Sequence, residues 1–581
     1  MKKYILLAFV YFIYSPFAFS QLVAFPGAEG FGAKATGGRG GQVIYVTNLN
    51  DNGPGSLAEA LATQGPRYIL FKVSGIINTN LETVYGDYTL AGQTSPNGII
   101  VRGFVIDEIY DTIGTGNNII IRHLRSRPHD VNVFPGTPLD DAFRLDGVSN
   151  AIVDHCSFAN AIDESIQISQ SSNITLQNCM LSETLGEHFY LGGMLMNYSS
   201  AEHPQDSISL HHNTWNRIGG RLPELSCESA YASQRPLNIE LSNNLLWDQK
   251  INIWYNSDID PSALNPIDSF FVNMNWVNNY SVGRTNYTSG MIAHNFLEIA
   301  NNSIYASGNK MNLYPALSDY DLFYCCNDFD QSGNNPNVDL GVATKLTSRH
   351  NFPAITYTPT DSLINYMYGN VGAFPRDSMD RRLVQPFLSG IPYTAPVDSA
   401  DHFNDAFVLP LNTSTPPTDM DNDGMPDYWE AANGLNPNVQ DHNGTNLSIG
   451  ITGVNGYTNL ECYLNCLSDA LVNGSTTATC GIVLNVNELL ATNNQLNLLQ
   501  NSPNPFSNQT TISFELFQSE FVTLKITNFL GQPVKTILSE KRIAGAHSVV
   551  FNTEELSPGI YFYELKTSTT TLVKKMVCEK K

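Results

Sequence analysis

Basic residues are scarce in this chain: 31 lysines and arginines stand against 54 aspartates and glutamates in 581 residues, for a formal net charge of -23. A nucleic-acid partner needs clustered cations to neutralise its phosphates, so that class of function is excluded. Charged residues of both signs make up only 15% against 42% hydrophobic, which excludes a disordered chain and suits a folded protein with much uncharged polar surface. Beyond the N-terminus no stretch reaches ~18 consecutive apolar residues, so no membrane span is expected. Cysteines number nine, an odd count without a zinc-like spacing. Cys325, Cys326, Cys462 and Cys466 are candidates for oxidation, whereas Cys156 and Cys179 read as small core residues. Lysine is missing altogether between Lys72 and Lys250.

What is present starts with a short export signal. Lys2 and Lys3 precede an apolar run to about Tyr14, and Ala18 and Ser20 take small-residue cleavage spacing, so residues 1–20 read as a signal peptide. An exported protein this acidic repels polyanions unless a cation mediates. The length predicts several units.

Five segments then line up: "NIIIRHLRS" (118–126), "NAIVDHCSF" (150–158), "NITLQNCML" (173–181), "SISLHHNTW" (207–215) and "NIELSNNLL" (238–246). Each alternates apolar and polar residues and then places His or Asn before a turn. The aligned apolar positions Ile121, Val153, Leu176, Leu210 and Leu241 lie 32, 23, 34 and 31 residues apart. Alternation over so few residues predicts short half-buried strands, and recurrence at this interval predicts stacked coils that share one core. The expected class is all-β: a right-handed parallel β-helix with variable loops outside. His123, His155, Asn178, His212 and Asn243 then occupy one turn position, and Leu124, Cys156, Cys179, Asn213 and Asn244 the next. That assigns His212 and Asn213 to the scaffold and leaves His211 open.

The glycine-rich stretch 25–61 lacks the Gly-Lys-Ser/Thr ending of a phosphate loop, so its glycines read as tight turns at the start of the stack. With "VTNLNDNGPGSL", "GPRYILFKVSGII", "LAGQTSP", "VDHCSFANAIDES", "HHNTWNRIGGRLP" and "VGAFPRDSMDRRLV", this stretch makes residues 23 to about 390 resemble the bacterial pectate lyases of polysaccharide lyase family 1. The resemblance implies β-elimination of polygalacturonate with calcium. Elimination removes the proton on C5 of a uronate and expels the C4 oxygen, so the neighbouring carboxylate has to be neutralised.

By the same resemblance Arg221, in "RLP", is the base, and Asp141, Asp163, Glu164 and Gln167 form the calcium site, with Gln167 standing where the family has a second acid. An arginine is a poor base at its ordinary pKa, so desolvation or neighbouring positive charge is required. The family's substrate-binding lysine and second arginine have no match, the latter replaced by "ELS" (224–226), which makes Arg217 the candidate anion clamp. His188 resembles a pocket residue.

After 21–410 come a Pro/Thr/Asn linker at 411–418 and "DMDNDGMPDYWE" at 419–430, which fits the twelve-residue calcium loop. Asp419, Asp421, Asp423, the Met425 carbonyl, Asp427 and Glu430 supply its hard oxygen ligands, and "GYTNLECYLN" continues a calcium-binding module over 419–470 as a short helix. From 497 to 581 alternating strands predict a small β-sandwich. Its "NSPNPF", "LSPGIY" and "KKM" resemble the C-terminal sorting domain of the type IX secretion system. The sequence thus predicts a monomeric, secreted or surface-held calcium-dependent lyase. A non-catalytic glycan-binding β-helix or adhesin, and a lyase for another polyuronate, are the alternatives.

Overall fold

The computed structural model describes residues 22–107, 116–129, 140–185, 192–197, 199–200, 202–218, 221–225, 235–248, 254–255, 271–283, 291–292, 301–324, 343–392, 404–410, 415–478, 480, 497–498, 501, 503–516, 519–528, 532–543, 545–552, 556–567 and 571–579. The signal segment, His188, Cys325 and Cys326 lie outside these. The chain forms two compact units, Met1–Ile482 and Val483–Lys581.

The first unit is a parallel β-helix. Its coils contribute strands to three parallel sheets of 11, 9 and 7 strands, in which hydrogen-bonded neighbours come from successive coils. The apolar positions aligned in the sequence are direct partners: Ile121 pairs with Val153, Val153 with Leu176, Leu176 with Leu210 and Leu210 with Leu241. All five are buried in one core that runs through the coils. Each strand is too short to be stable alone, and stacking satisfies its backbone on both edges while extending the shared interior.

One turn explains the polar ladder. His123, His155, Asn178, His212, Asn243 and Asn278 all have φ between 51° and 56°, the left-handed region that Asn and His tolerate better than most side chains. The residue after each points inward. Leu124, Cys156 and Cys179 give way to Asn213, Asn244, Asn279 and Asn309, where the amides stitch coil to coil. Asn213 Nδ2 donates to Leu176 O at 2.9 Å, Asn244 Nδ2 to Leu210 O at 2.9 Å and Asn279 Nδ2 to Leu241 O at 2.9 Å. His212 is therefore scaffold: its Nε2 lies 3.0 Å from Thr358 Oγ1 and its ring packs on Tyr366. His211 is buried beside it, with the two Nδ1 atoms 3.0 Å apart.

Two of the three sheets are covered. Helices Thr360–Asn370 and Ser378–Val384 lie on the nine-stranded sheet, packing Leu363, Met367 and Leu383 on Met180, Leu245 and Trp247. Beneath them Arg125 and Arg127, fully buried, pair with Asp377 and Asp380 at 2.6–3.2 Å. The eleven-stranded sheet is covered partly by the glycine-rich N-terminal segment. A Cβ on Gly32 or Gly38 would lie 2.1 Å from a strand carbonyl, so these glycines serve close backbone approach as well as turns.

The first strands of that sheet are covered by the acidic module, whose Met425, Trp429, Leu460 and Leu464 share a core with Tyr68, Leu70 and Ala91, and later strands by the segment that puts Arg349 and Tyr357 on Glu240 and His350 on Asn275. The module's helix, Asn459–Val472, starts at a capping box between Thr458 and Glu461. Cys466 bridges to Cys480, while Cys462 stays a free, buried thiol.

The seven-stranded sheet presents polar residues outward. In register across its strands, Val105, Arg144 and Gln167 form one row and Asp107, Asp146 and Ser169 another.

The second unit holds a three-stranded and a four-stranded antiparallel sheet that share a core of Ile512, Phe514, Leu524, Tyr563 and Met576. It is the expected small sandwich.

Candidate active site and metal centres

Four successive coils build the cleft from the loop that enters the seven-stranded sheet. Ala142 N donates to Glu164 O, Ser165 N to Gly192 O and Met194 N to Arg221 O. This register puts Asp141, Glu164, Gly192 and Arg221 at one coil position. Arg221 and Glu164 are thus two coils apart, roughly 10 Å along the stack. The guanidinium bridges that gap because Gly192 has no side chain between them. A Cβ there would meet Asp163 O at 2.3 Å.

The Arg221 guanidinium contacts Glu164 directly, Asp163 Oδ1 at 3.4 Å and Glu224 Oε2 at 2.7 Å. Its own φ is +53°, costly for a long side chain, and unlike the turn ladder its counterparts Asp141, Glu164 and Gly192 in the preceding coils do not share this conformation. Asp141 Oδ1 accepts from Glu164 N at 3.0 Å. Ligand oxygens of Asp141, Asp163 and Glu164 lie within 4.8 Å of one another. Burial, together with Asp163, Asp140 and Asp146, pushes the Asp141 carboxyl up to about 7 against the opposing pull of Arg144. Three converging carboxylates, two of them buried, fit a hard divalent cation. The three acids and Arg221 named from the sequence are brought together.

Gln167 differs. It is in register with Arg144, and its amide donates to Ser169 Oγ at 2.9 Å.

Arg217 is not a clamp, and the expectation is corrected. It sits at a second turn ladder, φ +60°, with Asn160, Glu183 and Asp248 at the equivalent position. Its buried guanidinium spans Glu183 in the preceding coil at 2.8 Å and Asp248 in the following one at 3.3 Å, so it ties coils together out of reach of a polymer. Among the described residues Arg144 is a cation that does face outward beside the cage, its side chain 34% exposed, Nε 3.0 Å from Asp146 and Nη1 3.7 Å from Asp141. Sequence reasoning passed over it. The signal was its place in "DDAFRLD", two residues before Asp146 on the same face of one strand and three after Asp141.

In the acidic module two triads share Asp423: Asp419, Asp421 and Asp423, then Asp423, Glu430 and Asp441. Asp441 lies eleven residues beyond the loop, where a twelve-residue pattern does not look. Asp427 stands apart from both triads; at the start of helix Asp427–Ala432 its Oδ1 accepts from Met420 N at 2.9 Å. Met425 is buried at the loop's seventh position, its N donating to Asp423 Oδ1. Burial first, then neighbouring carboxylates, pushes Glu430 up to about 8 and Asp421 up to about 6.

A stacked-coil scaffold with a guanidinium locked into an acidic cage beside an open polar sheet defines the class, a β-helical polysaccharide lyase. "Probable pectate lyase C" of Emericella nidulans is 30% identical over 460 residues, 77% of this chain and 93% of that protein. The protein of the same name from Neosartorya fischeri is 31% identical over 468 residues, 78% and 96% respectively. The crystal structure of Jun a 1, the major allergen from cedar pollen, aligns with a TM-score of 0.37 at 16% identity over 60% of this chain and 92% of that one. The chain belongs to the pectate lyase family. Residues 502–579 match the secretion system C-terminal sorting domain, which marks the protein for secretion and cell-surface sorting.

Proposed function

We propose that the enzyme cleaves polygalacturonate by calcium-dependent β-elimination and leaves the cell through the type IX machinery. The observation that carries this reading is the Arg221 guanidinium seated among Asp163, Glu164 and Glu224, next to Asp141. Asp141, Asp163 and Glu164 would hold the calcium, which when bound neutralises the uronate carboxylate and so acidifies C5–H. Arg221 must first give up a proton to solvent, which a cation held by Asp141, Asp163 and Glu164 would favour by taking over the acids that the guanidinium otherwise neutralises, and the neutral guanidine nitrogen then accepts the C5 proton. The C5–H electron pair becomes the C4=C5 double bond as the C4–O bond breaks, and the leaving oxygen takes a proton from water. Glu224 keeps Nε in place. Arg144 stands beside the cage, where the required clamp for a substrate carboxylate belongs, and Gln167 beside it adds no further negative charge.

Incubating the calcium-loaded enzyme with polygalacturonate is expected to raise the ultraviolet absorbance of the unsaturated product, and chelator to suppress it. No product from pectate, esterified pectin or other polyuronates overturns the reading.

A further inference from the structure

The acidic module holds buried carboxylates that the protein leaves unanswered. Glu430 is fully buried, yet neither carboxylate oxygen has a hydrogen-bond partner, and the half-buried Asp421 turns both of its oxygens away from solvent. An ionised group in that state carries a large desolvation cost unless a cation meets it. Each belongs to one of the two triads that meet at Asp423, which between them hold five carboxylates: Asp419, Asp421, Asp423, Glu430 and Asp441.

The surrounding bonds hold the cage open toward its centre. Asp419 accepts from Asp423 N and Gly424 N at 3.2 Å each, Asp423 Oδ2 from Asp441 N at 3.0 Å, and Asp441 Oδ1 from Asn459 Nδ2 at 3.3 Å. Gly424, at φ +100°, makes the turn, and a Cβ there would press on Leu70 and Leu460 at 2.9 Å. The cage is also wired to the β-helix. The Tyr45 hydroxyl donates to Asp419 Oδ2, and Lys72 Nζ to Asn422 Oδ1 at 2.9 Å.

We propose that this cage binds one divalent cation of the calcium class, that Asp441 from outside the loop is one of its ligands in place of Asp427, and that the ion fastens the module to the first coils through Asp419 and Tyr45. The site is separate from the cleft and does not depend on the catalytic reading. A twelve-residue loop normally closes its shell with its own residues. Here the acid at 441 comes from the segment leading to helix Asn459–Val472, so binding ties both halves of the module to one point. An ion held there resists unfolding of the coils beneath it, because only the folded chain gathers all five acids.

The test uses the full mature chain carrying Asp141→Asn, which removes the cleft triad from the reading. Calcium is titrated by calorimetry into this parent and into the same chain with Asp441→Asn, Glu430→Gln or Asp427→Asn, and thermal unfolding is followed with calcium and with chelator. The parent is expected to bind one calcium and to unfold several degrees higher with it. Asp441→Asn and Glu430→Gln are expected to weaken binding at least tenfold, and Asp427→Asn to change it less than threefold. Asp441→Asn keeps the side-chain shape, and unfolding in chelator at the parent's temperature verifies that it folds. A loss under tenfold for Asp441→Asn overturns its place in the shell, and a tenfold loss for Asp427→Asn overturns the exchange. If calcium leaves the parent's unfolding temperature unmoved, the fastening role is wrong.

Discussion

Replacing Arg221 with alanine tests the cleft most sharply, because it should lower two quantities of which calcium restores only one. The guanidinium is the neutralising partner of Glu164, which is 1% exposed, and of the better solvated Asp163 and Glu224. Removing one member of a fully buried ion pair costs about 3–5 kcal/mol. Asp163 is 36% exposed and Arg221 14%, so solvent screens part of this and about 2 kcal/mol of destabilisation in chelator is expected. Losing the αL strain of position 221 returns only a fraction of that, since alanine also disfavours φ +53°. Calcium should restore most of the loss, because the acids freed from Arg221 gain a divalent partner. Catalysis should not recover: kcat on polygalacturonate is expected to fall at least ~10³-fold, the proton acceptor being gone. The assay pairs ultraviolet product formation with thermal unfolding, each with calcium and with chelator. An Arg221→Ala enzyme that keeps a tenth of its kcat while folded refutes the proton-transfer role. Loss of stability that calcium does not reverse refutes the account of the acid cage.

Arg217→Ala should destabilise the fold by about 3 kcal/mol, since Asp248 loses a buried partner, while KM for polygalacturonate stays unchanged in the folded fraction; a raised KM would restore the discarded clamp. Arg144→Ala is expected to raise KM on polygalacturonate tenfold or more with kcat nearly kept, and to leave activity on fully esterified pectin unaltered, which initial rates on the two polymers will show. Gly192→Ala should cost about 1–3 kcal/mol and block the reach of Arg221, read as lower thermal stability together with lost turnover. Burial, the largest cause, holds His123 and His212 well below the ordinary imidazole range and pushes His211 down to about 4. Each takes a proton below about pH 6.5 in the unfolded chain but not in the fold. The histidine contribution to stability is therefore complete above that pH and falls as pH drops toward 4, by up to about 1.4 kcal/mol per unit for each ring, while the raised carboxyls of Glu430, Asp141 and Asp421 take up protons in the fold first and act in the opposite sense. A His212→Asn variant whose denaturant midpoint keeps the parent's pH dependence between pH 7.5 and 5 would contradict the histidine part.

The parts of the molecule that were legible in the sequence are those whose signal repeats. Ile121, Val153, Leu176, Leu210 and Leu241 align by alternation alone, and the same residues pair strand by strand. The acids at 141, 163 and 164 and Arg221 come together because their motifs carry them. Arg217 misled because its partners, Glu183 and Asp248, are a full coil away on either side and become neighbours only once the register is known. Arg144 was overlooked for the same reason: its exposure depends on which face of a four-residue strand looks outward. Asp441 and Cys480 escaped because tertiary folding, and not spacing, brings them to Asp423 and Cys466.

The coils differ in length by as much as twelve residues, yet the left-handed corner residues at 123, 155, 178, 212, 243 and 278 keep these rungs in step. Growth of any connecting segment is thereby pushed sideways into solvent and never transmitted along the axis. Transplanting a loop from another polysaccharide-cleaving relative onto the groove side should change which polymer is gripped while the melting behaviour of the column underneath stays as it was.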